Sequence, residues 1–170
     1  HHQAKADTPD GAILLNPHLH QDEGEPWRNL CTAGLTFKLS HGLIKSLREN
    51  DQETARGVNP KDYLALASLG TLADMVPLQG ENRILAYHGM KNLKDSMRPG
   101  IKAMLQVAGI NQAPSTVRDI SFTLGPRINA AGRVGHALTA AKLLIETDES
   151  GAFDLASQLE TMNQARRDLD

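Results

Sequence analysis

Apolar residues recur along most of this chain at the three- and four-residue steps of an α-helix, and near the front they also form one short unbroken run. That run, Ala12-Ile13-Leu14-Leu15, is entered from Gly11 and closed by Asn16-Pro17, which predicts a buried strand of a parallel sheet over 12–15. Residues 18–29 are polar and turn-rich and read as a loop. From Thr32 to Arg48, Leu35, Leu39, Leu43 and Leu47 repeat every four residues and predict a helix with Lys38, Lys45 and Arg48 turned away from the core. After a hydrophilic connection over 49–58, Asn59-Pro60 pairs a capping side chain with a proline at the first helical position, so a helix is expected from there to about Leu69, ended by the segment 70–78. Further helices are expected near 82–95 and from Pro99 to Ala108, where Ile101, Met104, Leu105 and Ala108 share a face and Gly109 caps the end. Thr116 and Asp119 have the spacing of a capping box for a short helix that Gly125-Pro126 must end. Ala152, Leu155, Leu159 and Met162, with Leu169 beyond, stripe a helix over about 150–170 that projects from the body and reaches the last residue without a stop signal. The expected class is α/β and helix-rich, with a long C-terminal helix.

Composition narrows the function classes more than the fold. The chain has 170 residues, 40% of them hydrophobic, with 18 Lys+Arg against 20 Asp+Glu for a net charge of −2. These values fit one globular domain. No apolar run approaches the roughly 18–20 residues that span a bilayer, so no membrane role is expected. A single cysteine, Cys31, excludes an internal disulfide framework and any multi-thiolate metal site and fits a reducing cytoplasm. Near-neutral charge and six aromatics argue against an autonomous nucleic-acid module, so any nucleic-acid chemistry must be local. The chain opens on His1-His2 rather than Met and ends inside a helical pattern, which predicts a piece of a longer protein.

Three places carry candidate chemistry. His1-His2 reads as a tag remnant, a solvated pair, or a metal-binding element in which one ring ligates and the other orients or touches substrate. Asp74 stands between Ala73 and Met75-Val76 in GTLADMVPL. Burying a carboxylate there costs several kcal/mol in rough terms without a partner, so it is expected either to cap or bond backbone or to hold a metal ion. In GPRINAAGR at 125–133, small residues at 130–132 permit close approach and Arg127 and Arg133 offer planar forks suited to phosphate. The competing reading is a tight joint between helices with two surface arginines.

These segments resemble the DHH phosphoesterases, and specifically their RecJ branch. The opening HHQAKADTPDGAILLNPHL is similar to the stretch that begins at the second letter of the family's Asp-His-His motif. GTLADMVPL is similar to its fourth motif and is followed by ENRILAYHGM and RPGIKAML, GPRINAAGR resembles the RecJ signature, and AGLTFKLSHGL at 33–43 fits the same branch. The resemblance covers nearly all 170 residues in family order.

It implies the C-terminal part of a DHH phosphoesterase domain over 1–148, with 149–170 starting a connecting helix to a second domain. By the same resemblance His1 is a ligand of Mn2+ or Mg2+, His2 lies close to the metals and the scissile phosphate, and Asp74 is the fourth-motif ligand. His1 and Asp74 are therefore expected to converge. Arg127, Asn129 and Arg133 fall on the substrate side, with one arginine gripping the 5′ end of the strand. The implied activity is a metal-dependent 5′-to-3′ single-stranded-DNA exonuclease, cytoplasmic and monomeric, acting in DNA repair and recombination beside single-strand-binding or recombination-repair proteins. Alternatives are a DHH phosphodiesterase of short oligonucleotides or cyclic dinucleotides, and a non-catalytic scaffold. The family's other metal-binding carboxylates have no counterpart after residue 1, so this chain alone is expected to be inactive. His18, His20, His41, His88 and His136 are expected to be surface or capping residues.

Overall fold

The computed structural model describes residues 10–11, 13–19, 24–50, 53–95, 98–110 and 116–169. Among them run α1 (Thr32–Glu49), α2 (Leu64–Ala73), α3 (Gly80–Lys94), α4 (Pro99–Val107), α5 (Gly125–Val134), α6 (Ala137–Ile145) and α7 (Glu149–Arg167). Short 3-10 turns lead in at Pro26–Asn29 and Pro60–Tyr63, and a π-helical turn, Asp119–Leu124, runs directly into α5.

The starts follow the sequence. Asn59 accepts a hydrogen bond from the Lys61 amide at 3.2 Å, and Asp148 accepts one from the Gly151 amide at 2.7 Å. Thr116 and Asp119 bond reciprocally, hydroxyl to amide at 3.2 Å and amide to carboxylate at 2.9 Å. Cys31, the lone thiol, is buried as the N-cap of α1.

α2 is the pivot of the body. Its sequence, LALASLGTLA, is apolar nearly all round, and Ala65, Ala67, Leu69 and Leu72 are buried against α1 and α3 on one side and the π turn and α5 on the other. Two glycines let the axes approach. A Cβ on Gly89 of α3 would meet that of Ser68 at 2.1 Å, and one on Gly70 would meet that of Ala33 at 2.4 Å. The rest of the core joins α4 (Ile101, Met104), the π turn (Ile120, Leu124), α6 (Leu143) and α7 (Ala152, Ala156, Leu159).

Five expectations are corrected. No strand forms among the described residues. Ile13 is fully exposed and Leu14 and Leu15 are 46% and 54% exposed, because an extended segment becomes a strand only beside one that takes its backbone hydrogen bonds. Ala12 lies outside the described residues. α2 does not stop at Leu69 but continues to Ala73, since close packing of Gly70 on Ala33 outweighs the roughly 1 kcal/mol glycine costs in a helix. Gly125-Pro126 does not end a helix either. The Gly125 amide reaches back five residues to the Ile120 carbonyl, and this widened turn accommodates the ring of Pro126 at the start of α5.

The leucine stripe of α1 is not a core stripe. Each four-residue step overshoots a helical turn by about 40°, and Leu39 and Leu43 end up 61% and 58% exposed. Lastly, α7 does not project. It lies along α4, α5 and α6, buried as far as Asn163, while Leu169 falls past its end and is exposed.

Candidate functional site

The last turn of α2 delivers Asp74 to the surface. The residue is the C-cap of the helix, its amide donating to the Gly70 carbonyl at 3.0 Å, and its side chain is exposed rather than buried among its apolar neighbours. Met75 follows at φ 54°, a left-handed conformation that costs a residue with a Cβ roughly 1–2 kcal/mol relative to glycine. Its amide still closes onto the Leu72 carbonyl at 3.3 Å, so the chain reverses sharply just after Asp74. Local preference would not choose this turn, and packing must hold it.

The holding element is the start of the GPRINAAGR segment. A Cβ on Gly125 would stand 3.1 Å from the Ala73 Cβ, so the residue before Asp74 and the first residue of α5 are in contact through a gap only glycine fills comfortably. Four residues earlier, the Ser121 hydroxyl donates to the Leu72 carbonyl at 2.7 Å. Thr71, Leu72, Met75, Val76 and Leu78 then share with Val117, Ser121 and Phe122 a shallow cavity of about 200 Å³. Two segments some fifty residues apart in the chain thus form one ridge.

Along α5 the candidate residues part company. Asn129 and Arg133, one turn apart, are exposed on the outer face, whereas Ala130 and Ala131 are fully buried. Arg127 is only 7% exposed. Its Nε is ion-paired with Glu160 of α7 and its Nη1 donates to the Thr123 carbonyl inside the π turn at 2.6 Å. Asn163, one turn beyond Glu160, is also buried, and its amide group makes no hydrogen bond among the described residues.

The other candidates place as follows. His1 and His2 lie outside the described residues, so the expected convergence of His1 with Asp74 lies outside them too. His41 and His88 are on helices, His136 is the exposed N-cap of α6, and His18 sits in the turn after Asn16, whereas His20 lies outside the described residues. Among the described residues no three His, Cys, Asp or Glu side chains group to hold an ion. Of the candidate ligands, Asp74 is thus the one among the described residues, and one carboxylate cannot neutralise two dications roughly 3.5–4 Å apart.

No family model matches the chain. It is 37% identical over 174 residues to the single-stranded-DNA-specific exonuclease RecJ of Dickeya dadantii and 36% identical to that of Escherichia coli K12, covering all of this chain and 30% of each relative. Along its whole length, then, the chain is similar to RecJ. The solved structures agree. Thermus thermophilus RecJ in complex with Mn2+, 30% identical, superposes on 99% of this chain with a TM-score of 0.81, and the matched part is 24% of that protein. The Mg2+ complex matches 69% of this chain at 33% identity with a TM-score of 0.62. The chain therefore spans about 30% of the length of the curated relatives it matches.

Two residues near these candidates carry no motif in the sequence. Ser121 looked like any polar residue in a short helix, and Glu160 like a solvated charge on the outer face of α7. Only for Glu160 was there a signal: it follows the buried Leu159 and lies four residues after Ala156, next to the apolar stripe.

Proposed function

We propose that this sequence is part of a metal-dependent exonuclease that degrades single-stranded DNA from the 5′ end in repair and recombination, in the cytoplasm. Within it 1–148 forms the C-terminal part of a DHH phosphoesterase domain, and α7 leads on towards a second domain. The observation that carries the proposal is the clasp of the Asp74 turn by the first residues of α5, in a chain that follows a Mn2+-bound RecJ over nearly its full length. In this reading Asp74 donates one carboxylate to a Mn2+ or Mg2+ ion, whose further ligands, His1 among them, lie outside the described residues, and His2 stands near the scissile phosphate. The ions would activate water and stabilise charge on the leaving oxygen.

The described residues then divide the remaining work. Arg133 and Asn129, exposed on one face of α5, meet the strand, with the Arg133 guanidinium taking the terminal phosphate by paired, charge-assisted hydrogen bonds. Arg127, buried against Glu160, holds α5 in place. Single strands and a monomeric enzyme fit these few local contacts, and single-strand-binding or recombination-repair proteins are the expected company.

The test is digestion of end-labelled oligonucleotides by the intact protein that carries this sequence. Asp74→Ala is expected to lower turnover by at least about a hundredfold, as loss of a metal ligand does. Arg133→Ala is expected to weaken binding of 5′-phosphorylated strands by about tenfold while leaving 5′-hydroxyl strands within about twofold. Full activity of Asp74→Ala, or an equal loss on both termini for Arg133→Ala, would overturn the assignment of that residue.

A further inference from the structure

The π turn before α5 is where side chains tie α2, α5 and α7 together. Glu160 on α7 pairs with Arg127 on α5, Arg127 donates to the Thr123 carbonyl in the turn, and Ser121 in the same turn donates to the Leu72 carbonyl two residues before Asp74. Each link is a side chain reaching across elements. With the backbone between Thr123 and Ser121 joining them, they lead from the far helix to the Asp74 turn, beside the apolar contact of Gly125 with Ala73.

The turn needs such ties. A π-helical register followed at once by Pro126, which has no N–H to give, weakens the backbone ladder at this junction, and the Arg127 guanidinium adds a donor there at the Thr123 carbonyl. On the other side, Met75 sits in a left-handed conformation that its own chain disfavours. The Ser121 hydroxyl binds the same Leu72 carbonyl that accepts the Met75 amide, so it bonds directly to the backbone of that reversal. Asp74 is the C-cap that stands between Leu72 and Met75, so the geometry of this turn sets where its side chain leaves the backbone.

We infer that Ser121 and Glu160 are positioning residues: through the π turn they fix the reversal at Leu72–Met75 and thereby the direction in which Asp74 is presented. Neither touches the reacting atoms. The inference rests on the reading of Asp74 as a site residue, but the tie itself is measurable without catalysis.

The experiment compares Ser121→Ala, Ser121→Thr and Glu160→Gln in the intact protein by amide hydrogen exchange and by kinetics on single-stranded DNA. Ser121→Ala is expected to speed exchange over 72–75 roughly three- to tenfold, the equilibrium weight of one hydrogen bond. Its kcat should fall about tenfold while KM stays within about twofold, because misaligning a group that acts in the transition state does not weaken strand binding. Ser121→Thr keeps the hydroxyl and should restore both. Glu160→Gln should raise exchange in the π turn and also over 72–75.

Faster exchange after Glu160→Gln confined to 119–134 would overturn the relay, and unchanged exchange over 72–75 in Ser121→Ala would overturn the tie. Loss in Ser121→Ala that Ser121→Thr does not repair would reduce Ser121 to packing and equally sink the inference. Should the wild-type protein not digest single-stranded DNA, the proposed function fails, while the exchange data still decide whether the Asp74 turn is held in this way.

Discussion

The two sides of α2 are built differently. Towards α5 and α7 the interface is closed: Ile120, Leu124, Ala131 and Leu159 are wholly buried, and the Arg127–Glu160 pair and the Ser121 hydroxyl are set into the seam. Towards α1 it is open. The one buried residue of α1 is Gly34, Leu39 and Leu43 face solvent, and a groove of about 650 Å³ runs between the helices past Phe37, His41, Ile44, Val58, Tyr63 and Leu66. Ile13, Leu14 and Leu15 are exposed as well. The difference teaches that the candidate site stands on the closed side, where its geometry is set by contacts within this chain. The open side has apolar surface that the described residues do not cover.

Stability measurements sharpen that contrast. Leu159→Ala removes a fully enclosed side chain from the α7 face of the seam, and its unfolding free energy should drop by about 3–4 kcal/mol in a denaturant titration. A loss under about 1 kcal/mol would mean that the closed side is not close-packed. Met75→Gly should raise stability by about 1 kcal/mol, because it relieves the left-handed backbone while deleting a side chain that is 69% exposed. A destabilised variant would show instead that the Met75 side chain is anchored in the shallow cavity beside Asp74. Leu39→Ala, on the open side, is expected to change the unfolding midpoint least, within about 0.5 kcal/mol. If Leu39→Ala cost as much as Leu159→Ala, the open face would be a covered one and the comparison would fail.

The same division explains what was legible in the sequence. Helix starts were readable because the signals are local: Asn59-Pro60, the Thr116–Asp119 box and the α4 pattern each act within one turn. The α7 stripe was readable as a buried face, though not the fact that α4, α5 and α6 cover it. Asp74 was readable as unusual, and its motif as RecJ-like, but the sequence placed it in apolar surroundings when the backbone turns it outward. Nothing in the chain order separated Arg127 from Arg133. Six residues apart, they fall on different sides of α5, and only the presence of Glu160 on a helix thirty-odd residues later makes the first an internal tie.

By itself, the sequence determined most of the helical content of the chain, most helix beginnings, the motifs it shares with RecJ and the short list of candidate site residues. Those properties rest on interactions spanning a few residues, where composition and spacing are sufficient. Tertiary structure alone decided that 13–16 forms no strand among the described residues, that a helix continues through Gly125-Pro126, and that Ser121 bonds to Leu72 and Glu160 pairs with Arg127. Each of these depends on what a distant segment supplies: a backbone partner that is absent among the described residues, room for a proline ring in a widened turn, or a charge of opposite sign. Such free energies belong to pairs of elements, and no single stretch of sequence contains both members of the pair.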